Sequence, residues 1–231
     1  MQGINKLSPS LAEGVLMSEQ QAWIFCNGNL TDPNRLTQMV RSQDYRIAAD
    51  GGAQYLRTVG LFPHLLVGDL DSLSSIEVEE YQKSGVEVLR FPVDKDETDL
   101  ELALNIALER GFRRIRIAAA LGGRIDQTLA NIFHLLRTDL RDVDVRLDDG
   151  FEEVFIIRDA GRILGNPGDV VSLLPIMGAA EGVTTQGLRY ALQGETLYPD
   201  RTRGISNRLL GTTALVSLTG GVLLCIHTRS E

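Results

Sequence analysis

Carboxylates and glycines recur in four short clusters of this sequence. They are Asp50-Gly51-Gly52, Gly68-Asp69-Leu70-Asp71-Ser72, Asp94-Lys95-Asp96-Glu97-Thr98-Asp99 and Gly122-Gly123-Arg124-Ile125-Asp126. Crowded carboxylates repel one another and cost stability unless a cation sits among them. Oxygen-only ligands, without a His or Cys cluster, suit Mg²⁺ or Mn²⁺ better than zinc. Mg²⁺ fills its remaining positions with water and substrate phosphates. Glycine pairs that open a helix offer backbone N–H groups to phosphate oxygens, and Lys95 and Arg124 add positive charge beside them. Metal, phosphate and nucleotide are the chemistry these residues suit.

Each cluster follows a short apolar run. Strands are expected at Trp23–Cys26, Tyr45–Ala49, Leu65–Val67, Val86–Phe91, Ile115–Leu121 and Val143–Leu147. Helical patterns lie between them at Asn34–Ser42, Ala53–Val59, Ser75–Lys83, Thr98–Arg110 and Gln127–Arg137. The alternation predicts an α/β fold, a mostly parallel sheet with helices on both faces. In such sheets ligands bind beyond the carboxyl ends of the strands, which is where the four clusters fall.

From Phe151 the texture changes to short β-rich runs separated by Gly, Pro and Asn, among them Val154–Ile157, Val170–Leu174, Ala214–Leu218 and Val222–Ile226. This predicts a smaller C-terminal all-β domain. The turn cluster Asp148-Asp149-Gly150 marks the boundary. The expected division is an N-terminal extension over 1–22, an α/β domain over 23–149 and a β domain over 150–231. Leu209–Thr228 carries no Asp, Glu, Lys or Arg, but Gly220-Gly221 divides it. It is read as a β-hairpin rather than a membrane span.

The chain has 231 residues, with 31 Asp and Glu against 23 Lys and Arg, a formal net charge of −8. That balance, without basic blocks, argues against nucleic acid or an anionic membrane as partner. Two cysteines, Cys26 and Cys225, exclude a disulfide scaffold and a Cys-based zinc site and suggest a reducing compartment. The first twenty residues lack the apolar run of a secretory signal. The P-loop pattern G-x-x-x-x-G-K-S/T is absent, as are G-x-G-x-x-G after the first strand and H-E-x-x-H.

Structural roles compete for the same residues. Asp69 and Asp71 could simply shape a turn. Thr98-Asp99-Leu100-Glu101 matches a capping box, and Asp99 would serve the helix dipole there. Asp50 and Asp126 could be N-caps. Gln127, Asn131 and His134 form a polar stripe opposite Leu129, Ile132, Phe133 and Leu136, the pattern of a solvated helix face. His64 and His227 are assigned no ligand role.

Taken in order, the four clusters resemble the thiamin pyrophosphokinase family. Gly187-Leu188-Arg189-Tyr190 and Gly204-Ile205-Ser206-Asn207 look like that family's thiamin-binding segment. The resemblance covers about 23–207 and implies pyrophosphoryl transfer from ATP to thiamin, giving thiamin diphosphate and AMP. It implies Mg²⁺ on Asp69, Asp71 and Asp99, with ATP against Lys95, Thr98, Gly122, Gly123, Arg124 and Asp126. Thiamin would meet Asp50, Ser206 and Asn207, and Asp71, Asp99 and Arg124 would carry catalysis. A homodimer with active sites shared between subunits is also implied; the charge balance leaves neither nucleic acid nor membrane as an expected partner, and the reducing compartment is expected to be the cytoplasm. Two positions depart from the family pattern: Gln127 replaces a usual His and Arg208 a usual Glu. Arg208 keeps open a pyrophosphokinase acting on another hydroxymethyl heterocycle, such as a pterin. A non-catalytic thiamin or nucleotide sensor would be expected to have lost the metal carboxylates.

Overall fold

The computed structural model describes residues 20–230, so nearly all of the expected N-terminal extension lies outside the described residues. The chain divides into two compact units, one ending at Val145 and one beginning at Arg146. The division lies within a strand, just before the Asp148-Asp149-Gly150 turn.

The first unit alternates β1 (Gln21–Phe25), α1 (Pro33–Met39), β2 (Tyr45–Ala49), α2 (Gly52–Thr58), β3 (Leu65–Gly68), α3 (Ser75–Lys83), β4 (Glu87–Arg90), α4 (Asp99–Glu109), β5 (Arg114–Ala118) and α5 (Ile125–His134). The strands are parallel and lie in the order β5-β1-β2-β3-β4. Successive strand residues point to opposite faces, and Ala22, Trp23, Ile24 and Phe25 are all buried, as are Leu65, Leu66 and Val67. Both faces of the sheet are therefore covered, as expected of a parallel sheet. Helix starts follow local chemistry. Asp32 caps α1 through the Arg35 N–H with Pro33 at the first helical turn, and Ser74 and Glu77 form a reciprocal capping box on α3.

The strand order creates a switch point. The chain steps from β1 through β2 and β3 to β4, then returns to lay β5 on the other side of β1. Connections after β1 and β5 diverge there and leave a crevice at the carboxyl ends.

The second unit is antiparallel β, as its texture predicts. One sheet joins β6 (Asp144–Asp148), β7 (Glu152–Ile157), β14 (Leu223–Thr228), β9 (Val170–Pro175) and the short β12 (Asn207–Arg208). The other orders β11 (Gln193–Leu197), β10 (Ala180–Gln186), β13 (Thr213–Ser217) and β8 (Ala160–Leu164). One core cluster takes side chains from both, including Phe155, Leu173, Val183, Val216 and Leu223.

The expected hairpin over Leu209–Thr228 does not form. β13 pairs with β8 and β10, whereas β14 pairs with β7 and β9. Gly220-Gly221 carries the chain from one sheet to the other. Both runs do form strands, but an apolar run says nothing about which sheet a strand joins. No helix among the described residues is long and apolar enough to cross a membrane.

Candidate functional site

The site lies in the first unit, at the carboxyl ends of its strands. Asp50 follows β2, Asp69 and Asp71 follow β3, and ligand atoms of all three lie within 4.8 Å of one another. Backbone strain accompanies this convergence. Asp50, Leu70 and Ala119 all have positive φ, at 44°, 61° and 54°. Left-handed backbone costs a non-glycine residue about 1–2 kcal/mol. At Leu70 packing offsets that cost: the side chain is buried in the core, which turns its neighbours Asp69 and Asp71 outward.

Neither Asp50 nor Asp126 is an N-cap. Gly51 occupies the cap of α2, and Asp50 accepts a hydrogen bond from the Ser72 hydroxyl at 2.8 Å. Asp69 accepts from the Asp71 backbone N–H at 3.2 Å. Thr98 does cap α4, accepting from the Glu101 N–H at 3.2 Å, while Asp99 turns toward the carboxylates. An Asp99 oxygen is buried without a hydrogen bond and lies 3.1 Å from the Lys95 ammonium at ion-pair distance. Burial raises the Asp99 carboxyl above its ordinary range. Lys95 works against that rise, and Asp50 and Asp69 add to it.

A cleft of about 480 Å³ opens beside these acids, bounded by Asp50, Lys95, Thr98, Asp99 and the Gly122-Gly123-Arg124 turn. Gly122 and Gly123 have φ of 77° and 70°, so the turn requires glycine. It presents backbone to the cleft. Arg124 caps α5 by position and forks onto Asp126 at 3.1 and 2.5 Å. Hydrogen bonding to Arg124 holds the Asp126 carboxyl below its usual range.

Part of the polar stripe on α5 is open to the cleft, with Gln127 exposed and Asn131 half-buried. Gln127 and Asn131 line the cleft, and the Asn131 amide donates to the Ala120 carbonyl at 2.8 Å. The apolar face is open as well: Leu129 is 46% and Phe133 52% accessible, and no residue of α5 is buried. Periodicity finds the two faces of a helix but cannot say which one the fold covers.

Sequence reasoning passed over the loop after β1. Asn27, Gly28 and Asn29 line the same cleft. Their position at the end of an apolar strand was the available signal.

Ser206 and Asn207 lie in the second unit. Asn207 is buried and clamps Tyr190 through both backbone groups, accepting from its N–H at 2.9 Å and donating to its carbonyl at 2.7 Å. This ties the Gly187–Tyr190 and Gly204–Asn207 segments together. Ser206 has φ of 58°, and its N–H donates to the Ser172 hydroxyl at 3.1 Å. The Arg208 guanidinium donates to the Gly168 carbonyl at 2.7 Å.

The donor set fits a hard divalent cation. It offers carboxylate oxygens alone, three of them convergent, beside a buried acid oxygen with no hydrogen bond. Chemically the rim can hold such a cation, and the cleft can hold phosphates against backbone N–H groups and two basic side chains.

Comparison with known proteins defines the class. Residues 36–147 match the family model described as the thiamin pyrophosphokinase catalytic domain, and 157–223 match the thiamin pyrophosphokinase vitamin B1 binding domain. The chain belongs to the thiamin pyrophosphokinase family. It is 28% identical over 184 residues to a thiamine pyrophosphokinase of Bacillus subtilis, across 79% of this chain and 86% of the relative. A thiamin pyrophosphokinase of Caenorhabditis elegans is 23% identical, with 90% and 89% covered. The crystal structure of a Bacillus subtilis thiamine pyrophosphokinase superposes with a TM-score of 0.81 at 26% identity, over 92% of this chain and 100% of that one.

Proposed function

We propose that this chain transfers a pyrophosphoryl group from ATP to the hydroxyethyl oxygen of thiamin, forming thiamin diphosphate and AMP. The observation that carries the reading is the convergence of Asp50, Asp69 and Asp71 beside the glycine turn and Lys95, in a chain of this family. The thiamin oxygen attacks the β-phosphorus in line, the bond from that phosphorus to the α-phosphate oxygen breaks, and AMP leaves. Such transfers ask the protein for positioning and charge neutralisation more than for covalent chemistry.

In this reading Asp69, Asp71 and Asp99 hold Mg²⁺, which when bound neutralises phosphate charge and orients the chain of phosphates. Lys95, Thr98, Gly122, Gly123, Arg124 and Asp126 receive ATP. Arg124 and the turn's N–H groups face charge that develops on the transferred group. Asp50, Ser206 and Asn207 receive thiamin, and Asp71 accepts the hydroxyl proton as the new bond forms. The division of labour follows the sequence: an extension over 1–22, an ATP and Mg²⁺ domain over 23–149, and a thiamin domain over 150–231. The reading includes a cytoplasmic homodimer with active sites shared between subunits, which sedimentation and cell fractionation test.

An endpoint assay with ATP, Mg²⁺ and thiamin, separating AMP from ADP, tests the central claim. AMP formed in step with thiamin diphosphate supports it. ADP with thiamin monophosphate would mean ordinary phosphoryl transfer and would overturn attack at the β-phosphorus.

A further inference from the structure

The loop after β1 sits at the switch point of the sheet, between the carboxyl end of β1 and the turn after β5. It is fixed from both sides. The Gly28 N–H donates to the strained Ala119 carbonyl at 2.7 Å, and the Asn29 N–H donates to the Leu121 carbonyl at 3.1 Å. From α2 the Tyr55 hydroxyl donates to the Gly28 carbonyl. A side chain at Gly28 would run into the Ala119 carbonyl oxygen, so only glycine allows the loop to lie this close to β5.

The two asparagines flanking Gly28 are used differently from the backbone. Both are exposed in the cleft. The Asn27 amide covers Gly51, lying 2.5 Å from where a Cβ there would stand, and the Asn29 amide covers Gly122 at 2.9 Å by the same measure. One loop thus places an amide over the acid-bearing turn and another over the phosphate-facing turn. Neither amide has a hydrogen-bond partner among the described residues. An amide suits this place: it is neutral, and it can donate to phosphate or ribose oxygens and accept from a hydroxyl. A carboxylate in its place would add to the repulsion a polyphosphate meets from Asp50 and Asp99.

We propose that Asn27 and Asn29 are nucleotide-contacting residues of this cleft and that Tyr55 is the positioning residue that holds their loop. The proposal rests on the reading of the cleft as the ATP site.

Calorimetric titration of the full chain with MgATP, without thiamin, is the test, followed by steady-state kinetics. Asn29→Ala and Asn27→Ala each weaken ATP binding and raise KM for ATP roughly 3–10-fold, the loss of one or two hydrogen bonds. KM for thiamin and the melting temperature stay as in the parent. Asn29→Asp, nearly the same size, weakens ATP more than Asn29→Ala because it adds repulsion. Tyr55→Phe raises KM for ATP with little change in kcat. ATP affinity unchanged in both asparagine variants would overturn the proposal. So would equal weakening toward both substrates with a lowered melting temperature, which would make the loop a brace only. A parent protein that binds no MgATP would sink the cleft reading itself, and this inference with it.

Discussion

In the β unit Asp148, Glu153 and Asp169 are buried and matched to partners, whereas Asp50, Asp69 and Asp71 of the α/β unit converge at a rim with few partners. Arg229 forks onto Asp148 at 2.8 Å through both nitrogens. Asp169 accepts from the Asn166 N–H and from both the N–H and hydroxyl of Ser230, and it contacts His227 at 2.9 Å. Arg146 pairs with Glu153 at 3.2 Å. At the rim, Asp50 has Ser72, Asp69 has one backbone N–H, and the Asp71 carboxylate accepts no hydrogen bond from a described residue. Acids matched to partners inside the protein hold a fold together. Acids left facing one another are available to an external cation.

The largest effects should divide along that line. Arg229→Ala leaves Asp148 buried and unpaired, which costs about 3–5 kcal/mol of stability. Urea unfolding measures this, and a loss near that of an ordinary surface change would mean water reaches Asp148. Asp71→Asn acts in the opposite sense. It relieves crowding, so the apo protein keeps or gains stability, while turnover falls by at least about 100-fold, the scale of losing a metal-site group. AMP release reads the second effect. Loss of stability in Asp71→Asn would place Asp71 among the structural acids and break the contrast.

The sequence made the rim legible because its clusters follow strands, and a parallel sheet brings all carboxyl ends to one side. The matched acids were not legible. Asp169 and His227 are 58 positions apart, and nothing local to either reports the other. The same limit explains β13 and β14, whose apolar runs were visible while their sheet membership depended on distant partners. It explains Asn131 of α5 too, which looks like a surface residue until the Ala120 carbonyl is brought beside it. Asn27 and Asn29 escaped because they carry no charge. A search for chemistry in residue types favours acids and bases over amides.

Asp169 of the β unit and Asp99 of the cleft also titrate with opposite sign. Burial alone would raise Asp169, but the hydrogen bonds from Ser230, Asn166 and His227 outweigh it and hold the carboxyl well below the usual range. A depressed acid contributes stability that is present above its unfolded pKa of about 3.9 and lost as pH falls through the folded value. Asp99 is raised by burial, so its contribution favours the folded state at low pH and is lost as pH rises through its folded value. Denaturation from pH 2 to 7 in EDTA separates them. Asp169→Asn flattens the acid loss and lowers stability at neutral pH, and Asp99→Asn leaves the acid loss in place and raises neutral stability slightly. Identical shifts in both variants would remove the distinction between Asp169 and Asp99.

The smallest effect falls where structure and chemistry meet in one side chain. Thr98 caps α4 through the Glu101 N–H and also lines the cleft. Thr98→Ala costs about 1 kcal/mol of stability through the lost cap. Thr98→Asp restores a capping oxygen and suits the positive end of the helix, so stability returns, but it brings a carboxylate to a surface assigned to phosphate. ATP affinity in Thr98→Asp then falls below that of Thr98→Ala, although the fold is sounder. Thr98→Ser keeps both the cap and the hydroxyl and restores both properties. If instead affinity follows stability across the three variants, Thr98 works only as a cap, and the phosphate-facing edge of the cleft begins at Gly122.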